Sequence, residues 1–222
     1  HVGARLMFDG AGHLFVTLGE HRQAPLSQAL DKLQGKLVRI FPDGGIPPDN
    51  PFVGRTGARP EIWSYGHRNM QGAAFHPVSG ALWTSEHGPM GGDEINIPQP
   101  GKNYGWPLVT DGVDYNNQPV PGSLGKTAPG MEAPHYSFTP SPALSGMLFY
   151  TADRFDAWRG NLFLGALAGM SLIRLELDGD RIVHEERLLL GRHERIRDVR
   201  QGPDGALYVL TDAPEGKLLR VE

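Results

Sequence analysis

A short unit recurs along this 222-residue chain and limits what it can fold into more than any other feature. The unit reads Gly, a variable residue, Leu, an aromatic residue, then small or β-branched residues. It occurs at Gly12-His13-Leu14-Phe15-Val16-Thr17, at Gly80-Ala81-Leu82-Trp83-Thr84-Ser85 and at Gly205-Ala206-Leu207-Tyr208-Val209-Leu210. A looser copy is Gly160-Asn161-Leu162-Phe163-Leu164. Turn dipeptides, Asp9-Gly10, His76-Pro77 and Pro203-Asp204, precede the three close copies. A second unit follows the first: Lys36-Leu37-Val38-Arg39-Ile40, Ser171-Leu172-Ile173-Arg174-Leu175 and Lys217-Leu218-Leu219-Arg220-Val221. Its alternating apolar residues and regularly placed Arg predict strands with one solvated face. Strand, turn, strand, repeated about four times, is the pattern of small antiparallel sheets in a β-propeller. A β-sandwich is the competing reading.

Composition supports an all-β chain rich in turns, because Gly (30) and Pro (19) exceed a fifth of the residues. A net charge of −4 with no basic run gives no field for nucleic acid. No apolar stretch approaches the ~20 residues of a membrane span. The absence of cysteine removes disulfides, thiolate metal sites and thiol nucleophiles. Two stretches lack strand pattern, Asp43 to Arg59 and Asp111 to Pro134, and read as long functional loops.

The chemistry concentrates between Tyr65 and Pro107. Arg68, Asn69 and Gln71 follow the predicted strand 61–65 and combine an Arg fork with amide donors and acceptors suited to carboxylates. The Gly88-Pro89 turn, followed by Gly91-Gly92, offers free carbonyls to a hard cation, which takes six to eight oxygens when it is calcium. The acidic pair Asp93-Glu94 could serve a second calcium site, although the spacing is not that of an EF-hand. Arg195 and Arg197 share one strand face and need an anion or acids between them. His1, four residues before Arg5 on the predicted first strand, is a candidate general base. These residues predict a pocket for a multiply carboxylated ligand held with calcium beside a base.

Five motifs carry a family resemblance: residues 65–72 (Tyr-Gly-His-Arg-Asn-Met-Gln-Gly), 86–96 (Glu-His-Gly-Pro-Met-Gly-Gly-Asp-Glu-Ile-Asn), 103–107 (Asn-Tyr-Gly-Trp-Pro), 31–37 (Asp-Lys-Leu-Gln-Gly-Lys-Leu) and 195–199 (Arg-Ile-Arg-Asp-Val). In this order and number they resemble the soluble PQQ-dependent aldose sugar dehydrogenases, the glucose/sorbosone dehydrogenase family, over nearly the whole chain. The resemblance implies a six-bladed β-propeller that oxidises the C1 hydroxyl of aldoses to lactones, with PQQ and calcium (Ca2+) as cofactors. It also implies an external electron acceptor and a periplasmic or secreted location. His1 then stands as the catalytic base, Glu20 as the acid beside it and Arg68 as the arginine at the reactive quinone oxygens. Asn69, Gln71, Arg195 and Arg197 stand as PQQ contacts. The Gly88 and Pro89 carbonyls stand as ligands of the catalytic calcium, and Glu94 and Tyr104 as part of a structural one. A PQQ-contacting Lys found in some members is Ala168 here.

About four blades are expected over residues 1–222, a partial propeller within one domain whose N-terminal blades lie outside the sequence. A calcium-dependent propeller lactonase and a non-catalytic calcium-binding propeller module are the rival functions. The lactonase needs a metal held by side-chain acids. Ala168 favours the module.

Overall fold

A computed structural model describes residues 1–222. It contains fifteen strands in four antiparallel sheets and no α-helix. The first sheet joins β1 (Leu6–Phe8), β2 (Leu14–Leu18), β3 (Lys36–Ile40) and β4 (Ile62–Tyr65) in sequence order. The second joins β5 (Met70–Phe75), β6 (Leu82–Glu86), β7 (Asp93–Asn96) and β8 (Tyr136–Phe138). The third joins β9 (Leu144–Phe149), β10 (Leu162–Ala166), β11 (Ser171–Asp178) and β12 (Arg181–Leu188). The fourth has three strands, β13 (Ile196–Gln201), β14 (Leu207–Thr211) and β15 (Leu218–Val221). The Gly-x-Leu-aromatic unit is the second strand of every sheet, and the Arg-bearing unit is the third strand of the first, third and fourth sheets, while β7 (Asp-Glu-Ile-Asn) takes that place in the second.

The sheets pack face to face in sequence order, with β2 against β5, β5 against β9, and β9 against β13. Three apolar clusters fill the gaps. Phe15, Leu37, Met70 and Leu82 lie between the first and second sheets. Trp83, Ile95, Met147, Phe149 and Ile173 lie between the second and third. Leu148, Phe163, Ile196, Val199 and Val209 lie between the third and fourth. Met147 and Phe149 face one neighbour while Leu148 faces the other, so β9 and β10 are buried throughout. The expectation of one solvated face per strand is therefore corrected for the inner strands, whereas β15 keeps it, with Leu218 and Arg220 exposed and Leu219 and Val221 half-buried. Period 2 in the inner strands separates two buried faces, because each inner sheet is packed on both sides. The regular Arg does not mark solvent in β3 either. Arg39 is buried, holding Asp49 at 3.1 Å and stacking over Trp63 at 5.0 Å.

The first strand of each sheet approaches its neighbour closely and in the same sense. Asp198 lies against Gly146 and Arg200 donates to the Met147 carbonyl at 3.3 Å, so β13 and β9 advance together. Glycine permits this approach. A Cβ on Gly72 would lie 2.7 Å from Met147 Cβ and from the Ser145 carbonyl, and one on Gly146 would lie 2.7 Å from Asp198 Cα. From the far side, Arg5 reaches Asp198 at 3.3 Å and the Gln71 carbonyl at 2.6 Å. These first strands therefore open toward one mouth. His1, Arg68, Ala143 and Arg195 all precede them by one to five residues.

Gly146→Ala is expected to destabilise the fold by about 1–3 kcal/mol through overpacking against backbone that cannot give way. Urea denaturation of the full-length protein measures this, and a loss below ~0.5 kcal/mol would mean that the strands move apart at little cost.

Candidate functional site

Two linked cavities open at that mouth. The larger, about 560 Å³, is lined by His1, Glu20, Arg22, Arg68, Pro89, Trp106 and Tyr115, among others. The smaller, about 10 Å³, has room for one water or ion and adjoins Arg68, Glu86, Gly88, Glu94 and Tyr104. Arg68 belongs to both.

Arg68 is fixed from every side. Its backbone N–H donates to Glu86 Oε2 at 2.6 Å, and its carbonyl accepts the Glu20 N–H at 2.9 Å. Its guanidinium lies 5.0 Å from the Trp106 ring centre, in cation–π range. Nη1 donates to the His87 carbonyl at 3.0 Å and Nη2 to the Tyr115 hydroxyl at 3.4 Å. Nε is buried and has no acceptor within the protein. A buried guanidinium N–H without a partner is costly, and an acceptor-rich ligand relieves that cost.

Behind Arg68, Glu86 is buried and accepts from His67 Nδ1 at 2.9 Å and from Asn96 Nδ2 at 3.0 Å. Ser64 Oγ lies 2.8 Å from His67 Nε2, and His67 stacks on Tyr104 with ring centres 4.9 Å apart. The order Ser64–His67–Glu86 is that of a hydrolytic triad, but all three are buried, so no substrate reaches the hydroxyl. Burial alone would raise the Glu86 carboxyl. The His67 ring and the donors from Arg68 and Asn96 outweigh it and hold the group below the usual carboxylate range.

His1 Nδ1 donates to Glu20 Oε1, which leaves Nε2 as the ring's acceptor. Glu20 is 1% exposed, and its other oxygen accepts the Gln23 N–H at 2.6 Å. Burial pushes the Glu20 carboxyl up. The sequence reading put His1 on the first strand, whereas β1 begins at Leu6. Single bonds still carry the pairing outward, from Gly19 N to Gly3 O and from His21 N to His1 O. Asn69 serves this extension rather than the cavity wall. Its Oδ1 accepts the Gly3 N–H at 3.0 Å, while Gln71 offers its carbonyl to Arg5.

The residues after Gly88-Pro89 divide by strand alternation. Asp93 is fully buried and saturated by Gly88 N at 3.0 Å, Ser141 Oγ at 2.6 Å and Leu144 N at 3.0 Å. It is a brace for the turn, not a free ligand. Glu94 points the other way, into the small cavity, with only Asn96 Nδ2 at 3.3 Å. Burial raises its carboxyl well above the usual range, and the charges of Glu86, Asp111 and Asp93 add to that. An under-partnered carboxylate beside another carboxylate, around an ion-sized void, fits a hard cation. No group of three or more His, Asp or Glu side chains gathers anywhere, so such a cation would depend on carbonyl oxygens as well.

Arg195 and Arg197 stand apart from the large cavity wall. Asp212 lies between them, 2.9 Å from Arg195 and 3.1 Å from Arg197. Arg197 still shares the mouth with Arg68. His87 is lowered chiefly by burial, and the positive charges of both arginines reinforce that shift. Ala168 is exposed, and its N–H donates to the Pro142 carbonyl at 2.9 Å. Trp106, Tyr115, Glu86 and Asp212 were not singled out from sequence. The first and third lie inside quoted motifs and had that signal. Tyr115 had only the signal of its unpatterned loop, 111–134, and Asp212 had none.

The wall near His1 is pinned by Lys36. Its buried ammonium donates to the carbonyls of Leu26, Ser27 and Gln34 at 2.8–2.9 Å. Ser27 Oγ and Gln28 Nε2 then hold the Trp106 carbonyl at 2.6 and 2.7 Å. Burial lowers the Lys36 ammonium to about 7, against the charge of Asp31, which works to raise it. Lys36→Met is expected to cost about 2–4 kcal/mol, because three inward carbonyls lose their donor. Denaturant melts measure it, and a variant as stable as wild type would show that the turn finds other donors.

Residues 1–220 match the glucose/sorbosone dehydrogenase family. The chain is 56% identical to the aldose sugar dehydrogenase YliI of Escherichia coli over 221 residues, covering all of this chain and 60% of that protein. A crystal structure of a glucose dehydrogenase superposes with a TM-score of 0.97 at 60% identity, covering 98% of this chain and 63% of that one. The PQQ-bound aldose sugar dehydrogenase of Streptomyces coelicolor superposes at 0.77 with 31% identity, over 99% and 60% of the two chains. The chain thus spans about three-fifths of these relatives.

Proposed function

The chain belongs to the glucose/sorbosone dehydrogenase family, and from that premise we propose that it carries the cofactor-binding mouth of a PQQ- and calcium-dependent enzyme oxidising aldoses at C1 to lactones. The observation that carries the reading is Arg68, a buried guanidinium with an unpartnered Nε, shared by a ligand-sized cavity and an ion-sized one. The four sheets are read as four blades of a six-bladed propeller, and the periplasmic or secreted location rests on the same family likeness. The lactonase reading, which needs a metal held by side-chain acids and Asn, loses ground because Arg68-Asn69-x-Gln71 and Arg195-x-Arg197 offer donors for carboxylates that a lactone lacks.

When bound, the quinone supplies the acceptor for the hydride leaving C1, and calcium supplies Lewis-acid polarisation. The chain supplies the rest. His1 Nε2 takes the C1 hydroxyl proton, while Glu20 fixes the tautomer and stabilises the imidazolium that forms. Arg68, held by Glu86 and Trp106, places fixed positive charge where negative charge develops. The Gly88 and Pro89 carbonyls would hold the catalytic ion. Glu94, with Tyr104 at the same small cavity, would hold a structural ion. Arg195 and Arg197 would receive the cofactor carboxylates. Trp106 and Tyr115 line the same cavity beside Arg68.

PQQ titration of the full-length protein, with calcium and with excess chelator, tests this reading. Tight binding that needs calcium is expected, and equal reconstitution in chelator would reject the calcium role. His1→Gln should lower kcat by about 10²–10⁴ while PQQ still binds. Turnover by His1→Gln within a few-fold of wild type would remove His1 from the chemistry. Glu94→Gln should diminish the calcium-dependent rise in melting temperature, whatever its turnover. An undiminished rise would place the structural ion elsewhere.

A further inference from the structure

Asp212 has no part in the scheme above, yet it is held by both arginines and by its own backbone. It follows β14, and its backbone N–H donates to the carbonyl of Arg195 at 2.8 Å. Its carboxylate is divided between two guanidiniums. Oδ2 accepts from Arg195 Nε at 2.9 Å and lies 2.9 Å from Nη2. Oδ1 accepts from Arg197 Nε and Nη2, each at 3.1 Å. Each arginine thus commits one edge of its fork to the same carboxylate.

Two guanidiniums that reach the same carboxylate, Arg195 just before β13 and Arg197 within it, are close enough to repel. Each also has a long stem whose freedom must be lost when a ligand is held. Asp212 removes both obstacles. It cancels one of the two charges and fixes both planes. Each guanidinium has five N–H donors, and those outside the Asp212 edge have no acceptor in the protein. The two side chains remain 44% and 40% exposed, so the free edges are open to solvent. Asp212 is also no mobile latch, because its own N–H ties it to the strand that bears the arginines. Burial works against its charge, but the bonds from Arg195 and Arg197 outweigh that and hold the carboxyl below the usual range. It therefore remains ionised at any pH at which the site would work.

We propose that Asp212 is a positioning residue: it braces Arg195 and Arg197 into a preformed seat of net single positive charge for carboxylates of the bound cofactor. The proposal rests on the PQQ reading and adds to it a residue that never touches the cofactor. The opposite role, a carboxylate competing for the seat, predicts the opposite sign. Removing Asp212 makes the site more positive, so simple electrostatics would tighten binding of an anion. Loss of bracing weakens it.

The test is PQQ affinity, read by fluorescence quenching on the full-length calcium-loaded protein, for wild type, Asp212→Ala and Asp212→Asn. Melting temperature serves as the check on folding. Asp212→Ala is expected to raise Kd about tenfold despite the added positive charge. Asp212→Asn, which keeps the shape and loses the charge, should raise it several-fold. Turnover at saturating PQQ should stay within twofold of wild type in both. Unchanged or tighter binding by either folded variant would overturn the bracing role while leaving the PQQ reading intact. Wild-type protein that fails to bind PQQ would overturn the reading itself, and the seat with it.

Discussion

The Glu86 carboxylate is the fixed point from which the mouth is built. It lies at the end of β6 with 3% exposure and accepts from the His67 ring, the Arg68 backbone and the Asn96 amide. A buried charge survives only if its lone pairs are filled, and here the donors come from the β4–β5 junction and from β7. Satisfying Glu86 therefore sets where Arg68 enters the cavity. It also sets where His67 stacks on Tyr104, and where Asn96 divides its amide between Glu86 and Glu94. A rigid cation above and an under-partnered carboxylate beside it both follow from one satisfied carboxylate beneath.

The same logic runs outward through a second layer of polar anchors. Asp93 holds the Gly88 turn and the start of β9, and Lys36 holds the turn at Leu26-Ser27, after Glu20, to its own sheet. Gln28 and Asn103 exchange amide hydrogen bonds at 2.8 and 3.0 Å, joining that wall to the Trp106 segment. These loops have no regular structure of their own. Their backbone groups are satisfied by buried side chains instead, so loop segments can carry precise geometry.

Much of this was legible in sequence, for identifiable reasons. The repeat units gave the second strand of each sheet and the third of all but the second sheet, because Gly-turn chemistry and period 2 are local signals. The two unpatterned stretches are indeed loops, and Tyr115 of the second reaches Arg68. Burial of both sheet faces was not legible, because alternation looks the same whether the second face meets water or another sheet. Nor was the split fate of Asp93 and Glu94. Adjacent acids read as a pair, while strand alternation sends one to a saturated brace and the other to a void. Asp212 was invisible for another reason. Its meaning comes from a hairpin that brings it beside residues 15 and 17 positions earlier.

The glycine-permitted contact between neighbouring first strands has a consequence for how the site comes into being. Each sheet is stitched by local hairpins, and such elements form early and cheaply. The mouth, by contrast, takes His1 and Glu20 from the first sheet's ends, Arg68 from the junction with the second, and the arginine pair from the fourth. No sheet owns a working fraction of it. The site is therefore a product of docking, completed only when the inner strands have closed to contact at Gly72 and Gly146. Any ligand spanning Arg68 and the arginine pair would clasp separate sheets together, and its binding energy would become cohesion of the fold.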